Sequence, residues 1–249
     1  MIDTHCHLID PQFNRDIIEV INRARSSGIN KIINVGYDRE TSLRALEMHE
    51  EYDWILPTVG IHPNESADES ISKMAEIEAL CNNTKVVAVG ETGLDFYRNF
   101  YPKEAQQVLF RQHINIARKY NLPLIIHTRM SIDETIKILS EEDYHHGLFH
   151  CFSGTPVQAK KVMALGFYLG FGGTLTFSKN VREVFQYVPL DFVVFETDAP
   201  FLAPAGHKGK RNEPSFIFET LNVAASIKAI SPKEVEMITD KNAERLFCH

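Results

Sequence analysis

Eight times along the chain, a short and nearly continuous apolar run gives way to a longer stretch in which apolar residues return every three or four positions. This alternation limits the fold more than any other feature. A strand buried on both faces reads as an unbroken apolar run, whereas a helix packed against it keeps one apolar stripe. The runs are Ile2-Asp3-Thr4, Lys31 to Val35, Ile55 to Val59, Val86 to Val89, Leu122 to Ile126, Leu148-Phe149, Phe167 to Phe171 and Phe192 to Phe195. Between them, Phe13, Ile17, Val20, Ile21 and Ala24 line one helical face, as do Phe110, His113, Ile114 and Ala117, with His113 read as a core histidine. Pro102 and Pro156 suit first helical turns, and Gly28 and Gly166 suit the exits into the next strand. Pro214 to Ala229 and Pro232 to Leu246 read as two closing helices.

Eight such units in 249 residues predict an α/β protein: a (β/α)8 TIM barrel with extra C-terminal helices, forming a single domain over residues 1–249. A doubly wound open sheet is the rival, since periodicity alone does not show closure. With 44% hydrophobic and 24% charged residues the composition is that of a globular chain, and disordered and low-complexity classes fall away. The formal net charge of −7 means that a nucleic-acid partner would be bound through local basic groups or bound cations, not through overall charge. Cys6, Cys81, Cys151 and Cys248 form no CxxC pair, which predicts reduced thiols and a cytoplasmic location. No signal-peptide pattern and no membrane-length apolar run is present, so no membrane association is expected, and nothing points to a protein partner.

The C-terminal ends of the predicted strands collect His5, His7, His62, Glu91, His127, His150 and Asp198, with five of the eleven histidines among them. In a barrel these ends share one rim, where barrel enzymes build their chemistry. In an open sheet they would be strung along a line, so the clustering favours closure. His5-Cys6-His7 puts two imidazoles on one strand face, a pairing suited to a divalent transition metal, with a surface histidine pair as the alternative. Glu91 closes an apolar segment, where a buried carboxylate needs compensation and where its two oxygens can bridge two cations. His127, His150 and Asp198 each terminate an apolar run. Six ligand-type residues exceed the three that one catalytic zinc takes from its protein, so two divalent ions per chain are the simpler account.

These residues sit in longer motifs: Asp3-Thr4-His5-Cys6-His7, Gly60-Ile61-His62-Pro63, Gly90-Glu91-Thr92-Gly93-Leu94-Asp95, Ile126-His127-Thr128-Arg129, His150-Cys151-Phe152-Ser153-Gly154, Glu196-Thr197-Asp198-Ala199-Pro200 and Gly209-Lys210-Arg211-Asn212-Glu213-Pro214. The chain resembles the TatD family of metal-dependent hydrolases, whose members are described as deoxyribonucleases, from Asp3 to Phe247. The resemblance implies a two-metal barrel. His5, His7 and Asp198 would hold one ion, His127 and His150 the other, and Glu91 would bridge; magnesium, manganese and zinc are the candidate metals. Lys208 departs from the arginine usual there in the family and loses the bidentate fork.

The expected reaction is cleavage of DNA phosphodiester bonds by a metal-activated water, with Asp198 as both ligand and general base and Glu91 as the second catalytic carboxylate. The substrate would be single-stranded DNA or DNA ends. His62, Arg129, Lys208 and Arg211 are the expected substrate contacts, with Arg98 and Lys210 nearby, and Phe96, Tyr97, Phe152 and Phe201 are candidates to stack on a base. The competing reading is an aminoacyl-ester or amide hydrolase, such as a D-aminoacyl-tRNA deacylase, because the same site attacks carbonyl carbon equally well. A barrel that has lost catalysis and only binds would not need every ligand position that the resemblance implies to be filled, and a purely structural protein would leave the strand-end histidines unexplained.

Overall fold

The computed structural model describes residues 1–65, 73–98 and 100–247; Cys248 and His249 lie outside them. Its strands are β1 (Ile2–Cys6), β2 (Lys31–Val35), β3 (Ile55–Val59), β4 (Ala88–Asp95), β5 (Leu124–Arg129), β6 (Gly147–Phe149), β7 (Tyr168–Phe171) and β8 (Val193–Phe195), all parallel and hydrogen-bonded in chain order. The helices are α1 (Ile17–Ser27), α2 (Arg39–Glu51), α3 (Met74–Leu80), α4 (Lys103–Tyr120), α5 (Ile132–Glu141), α6 (Pro156–Ala164), α7 (Lys179–Tyr187), α8 (Ile217–Lys228) and α9 (Pro232–Phe247). A helix follows every strand, giving the nearly closed barrel that the alternation predicts. Among the described residues no helix is long and apolar enough to cross a membrane.

Local chemistry sets the helix ends. Thr155 and Gln158 form a capping box around Pro156, and Asp38 and Thr41 do the same for α2. Gly28, at φ 103°, ends α1 in the left-handed region that a side chain disfavours. The seam joins the first strand to the segment after the last. The Asp198 amide donates to the His5 carbonyl at 2.8 Å, the His7 amide to the Ala199 carbonyl at 2.8 Å, and the Thr197 hydroxyl to Asp3 Oδ2 at 2.6 Å.

The core has two zones, separated by strand alternation. Ile32, Leu124, Ile126, Leu169 and Phe195 pack outward against the helices. Ile2, Ile33, Val35, Ala88, Ile125, Leu148 and Val194 form a separate cluster with Ala243, Leu246 and Phe247 of α9, which places them in the lumen with α9 as its floor.

Two strands outrun their apolar signal. Val86 to Val89 becomes a strand over Ala88–Asp95, and Leu122 to Ile126 becomes Leu124–Arg129, so Glu91 and His127 lie inside strands, not beyond them. Backbone pairing between β4 and β5 continues from Thr92↔Ile126 to Asp95↔Arg129 whatever the polarity of the side chains. Polar residues facing a barrel mouth leave that ladder intact, and an apolar run cannot mark where it stops.

Candidate metal centre

Two strands bend locally to aim their ligands. The register of β1 against β2 slips between Asp3 and Cys6, and that of β4 against β5 slips between Val89 and Thr92. Slips of this kind re-aim side chains beside active sites, and these two contain His5 and Glu91. At the second slip, Gly60 is needed for close approach, since a Cβ there would sit 2.6 Å from the Gly90 carbonyl carbon.

Glu91 is the centre of the arrangement, 4% exposed, and its two oxygens face different partners. Oε2 lies 3.5 Å from His5 Nε2 and 3.4 Å from His7 Nε2, and the same two nitrogens are 3.7 and 3.5 Å from Asp198 Oδ1. Oε1 lies 3.1 Å from His127 Nδ1, 2.9 Å from His150 Nε2 and 3.4 Å from His62 Nε2. His5 Nε2 and His7 Nε2 approach to 3.1 Å, and His127 Nδ1 and His150 Nε2 to 3.2 Å. Imidazole nitrogens converging this closely on one carboxylate form a donor set for divalent cations of the transition series. The groups His5–His7–Glu91, His5–His150–Asp198 and His62–Glu91–His127 each bring three ligand atoms within 4.8 Å of one another.

Hydrogen bonds on the far side of each ring decide which nitrogen presents a lone pair. His7 Nδ1 donates to the Val35 carbonyl at 2.8 Å, which leaves Nε2 free to ligate. His62 is the opposite case. Its Nδ1 accepts the Asn64 amide at 3.0 Å, so the neutral ring carries its proton on Nε2 and offers Glu91 a donor. His62 thus stands in the cluster as a hydrogen-bond donor to Glu91.

The charges are strongly coupled. Burial alone would raise the Glu91 pKa, but His150, His62 and His127 around it hold it well below the ordinary carboxylate range. Asp198 is likewise lowered against its burial, by His7, His5 and His150. Burial disfavours a charged His150, yet Glu91 and Glu196 raise its pKa well above the usual imidazole value. His5 and His62 are instead pushed below the ordinary imidazole value, mainly by burial, so without metal the positive charge beside the carboxylates is concentrated on His150, His127 and His7.

The expected substrate contacts divide. Arg129 is exposed at the end of β5, its guanidinium 4.0 Å from the centre of the Tyr97 ring. Beside it lies a cleft of about 640 Å3, lined among others by Thr128, Arg129, Ser153, Gln158 and Asn180 and by none of the cluster residues. Lys208 is exposed beyond β8. Arg211 is committed elsewhere: it reaches both oxygens of Asp16 at 2.7 and 2.6 Å and the Gln12 carbonyl at 2.7 Å. Phe152 is 1% exposed and packs in the core, so it cannot stack on a base, whereas Tyr97 and Phe201 stand exposed at the rim. His113 is the core histidine expected, donating to the Leu109 carbonyl and accepting the Ile61 amide, and burial pushes its pKa down to about 4.

Three buried carboxylates behind the centre carry no role in the sequence reading. Asp3 binds Thr197 across the seam, and burial pushes its pKa up to about 7. Asp95 faces His127, and Glu196 faces His150. Asp3 and Glu196 stand two residues before His5 and Asp198, but the slip in β1 and the end of β8 at Phe195 make that spacing no guide to a shared face.

A model of the family described as TatD related DNase matches residues 2–248. The uncharacterized metal-dependent hydrolase YabD of Bacillus subtilis is 42% identical over 251 residues, covering 99% of this chain and 98% of that protein. A protein of Cronobacter sakazakii named 3'-5' ssDNA/RNA exonuclease TatD is 32% identical over 256 residues, covering 99% of this chain and 97% of its own length. The crystal structure of YJJV, a TatD homolog from Escherichia coli, matches with a TM-score of 0.92 at 32% identity, covering 99% of this chain and 97% of that one.

Proposed function

The chain belongs to the TatD-related DNase family and is a metal-dependent hydrolase of that family, and from that premise we propose that it uses two divalent cations to cleave phosphodiester bonds in single-stranded DNA. The observation that carries this reading is the division of Glu91, one oxygen toward His5 and His7 and the other toward His127 and His150. His5, His7 and Asp198 would hold one ion, His127 and His150 the other, with Glu91 shared. A pair of cations so held lowers the pKa of a water and neutralises charge on the phosphoryl oxygens. Magnesium, manganese or zinc would serve.

The remaining chemistry belongs to the chain. Asp198, kept anionic by its histidines, accepts the proton released by the attacking water. His62, whose Nε2 proton points at Glu91, would turn that proton to a substrate oxygen. Arg129, exposed at the end of β5 and backed by Tyr97, would meet a substrate phosphate. The Cronobacter relative's name supports a single-stranded nucleic acid as the substrate class.

The test strips the protein with chelator, restores manganese or magnesium, and offers a 5′-labelled single-stranded DNA oligonucleotide beside a D-aminoacyl-tRNA. The expected result is cation-dependent shortening of the DNA that disappears in Asp198→Asn. Deacylation without DNA cleavage overturns the nuclease reading, and cleavage indifferent to chelator overturns the cations.

A further inference from the structure

The two sides of Glu91 are built from unlike charges. The His5–His7 side has a carboxylate of its own in Asp198, and the backs of its rings are uncharged: His7 rests on the Val35 carbonyl, and His5 Nδ1 has no hydrogen-bond partner. On the His127–His150 side, among the described residues, the shared Glu91 oxygen is the one carboxylate atom within 4.0 Å of the two inner nitrogens; Asp198 comes within 4.8 Å of His150 but is closer to His5 and His7, and the third imidazole near it, His62, presents a proton. Two neutral imidazoles and half a carboxylate are a poor donor set for a doubly charged ion.

The missing charge stands one layer back. Asp95 Oδ2 lies 3.4 Å from His127 Nε2, and Glu196 Oε1 lies 3.7 Å from His150 Nδ1, ion-pair distances at which no hydrogen bond is formed, each carboxylate behind the nitrogen opposite the one that faces Glu91. Both are buried, at 1% and 0% exposure. Asp95 is fixed by the amides of Tyr97 and Arg98, each donating to Oδ1 at 3.0 Å. Glu196 accepts the Cys151 amide on Oε1 at 2.5 Å, while its Oε2 is buried with no hydrogen-bond partner. Its seat depends on Gly170, where a Cβ would fall 2.3 Å from Oε2. An unpaired buried carboxylate oxygen is costly unless positive charge sits nearby.

We propose that Asp95 and Glu196 are positioning residues that make the His127–His150 side a second divalent-cation subsite, each holding one imidazole from behind and supplying the charge its direct ligands lack. A carboxylate behind an imidazole favours the proton on the near nitrogen and makes the far one a stronger donor, and it fixes the ring once the two close to hydrogen-bond distance. The assignment rests on the two-cation reading above.

The test titrates chelator-stripped protein with Mn2+ alone, counting bound ions from the paramagnetic resonance signal of the free ion. Wild type is expected to bind two. In Asp95→Asn and Glu196→Gln one ion should keep its wild-type affinity and the other should weaken about 10–100-fold. Gly170→Ala, which leaves Glu196 in place but crowds its carboxylate, should repeat the Glu196 result. Asp198→Asn should weaken the opposite ion. Two ions bound with wild-type affinities in both carboxylate variants overturns the proposal, and so does equal weakening of both ions with a lowered melting temperature, the mark of a purely structural role. A wild-type chain holding fewer than two ions overturns the two-cation reading itself, and this assignment with it.

Discussion

The floor and the mouth of the barrel lumen are made by the same strands and share almost nothing chemically. The floor is Ile2, Ala88, Ile125, Leu148 and Val194 against Leu246 and Phe247. On β5, β6 and β8 the mouth begins two residues later, at His127, His150 and Glu196, as strand alternation requires. On β1 and β4 the step from Ile2 to His5 and from Ala88 to Glu91 is three, and these are the two strands whose register slips. A slip in the ladder is thus how an apolar floor and a ligating mouth coexist on strands whose parity would otherwise turn His5 and Glu91 toward the helices. The lesson is a division of labour: stability comes from burial at one end, and chemistry from paired charge at the other.

Three measurements press on that division. The largest effect belongs to the mouth. Asp198→Asn should lower kcat about 10²–10⁴-fold while the melting temperature of the metal-free chain barely moves. A large loss of stability in that variant would show that the mouth also holds the fold. At the floor the roles reverse. Leu148→Ala, which empties a fully buried position, should cost about 2–5 kcal/mol in urea unfolding and leave kcat per folded molecule unchanged.

The third and smallest effect separates a ligating histidine from a structural one. His113 is neutral and buried, with its pKa pushed from 6.5 down to about 4. Its contribution to stability is complete above pH 6.5 and is lost as pH falls toward 4, because the unfolded chain takes up the proton first. The stability difference between wild type and His113→Gln should therefore narrow by about 3 kcal/mol over that window. A constant difference would mean that His113 titrates normally.

The barrel was legible because buried parallel strands and amphipathic helices have different periods, and the residues that converge on Glu91 because a histidine or carboxylate closing an apolar run is out of place there. What escaped reading depends on distances across the fold. The true ends of β4 and β5 are set by backbone pairing that polar side chains do not interrupt. Arg211 looks like a rim cation until Asp16, 195 positions away, is found beside it. Asp95 and Glu196 are ordinary acids in a string of letters, and only their placement behind His127 and His150 distinguishes them.

The seam that ties Asp3 to Thr197, 194 positions apart, has a consequence for the order of events during synthesis. His5 emerges first from the ribosome and waits for Asp198, so seven strands can pair before the cluster has its last carboxylate. Closing so long a span adds little to the equilibrium cost but slows the search, since contacts distant in sequence form late. The cluster is therefore incomplete until the barrel is almost whole. An ion held through Asp198 would act on that final closure, as a latch on the seam rather than a seed for folding.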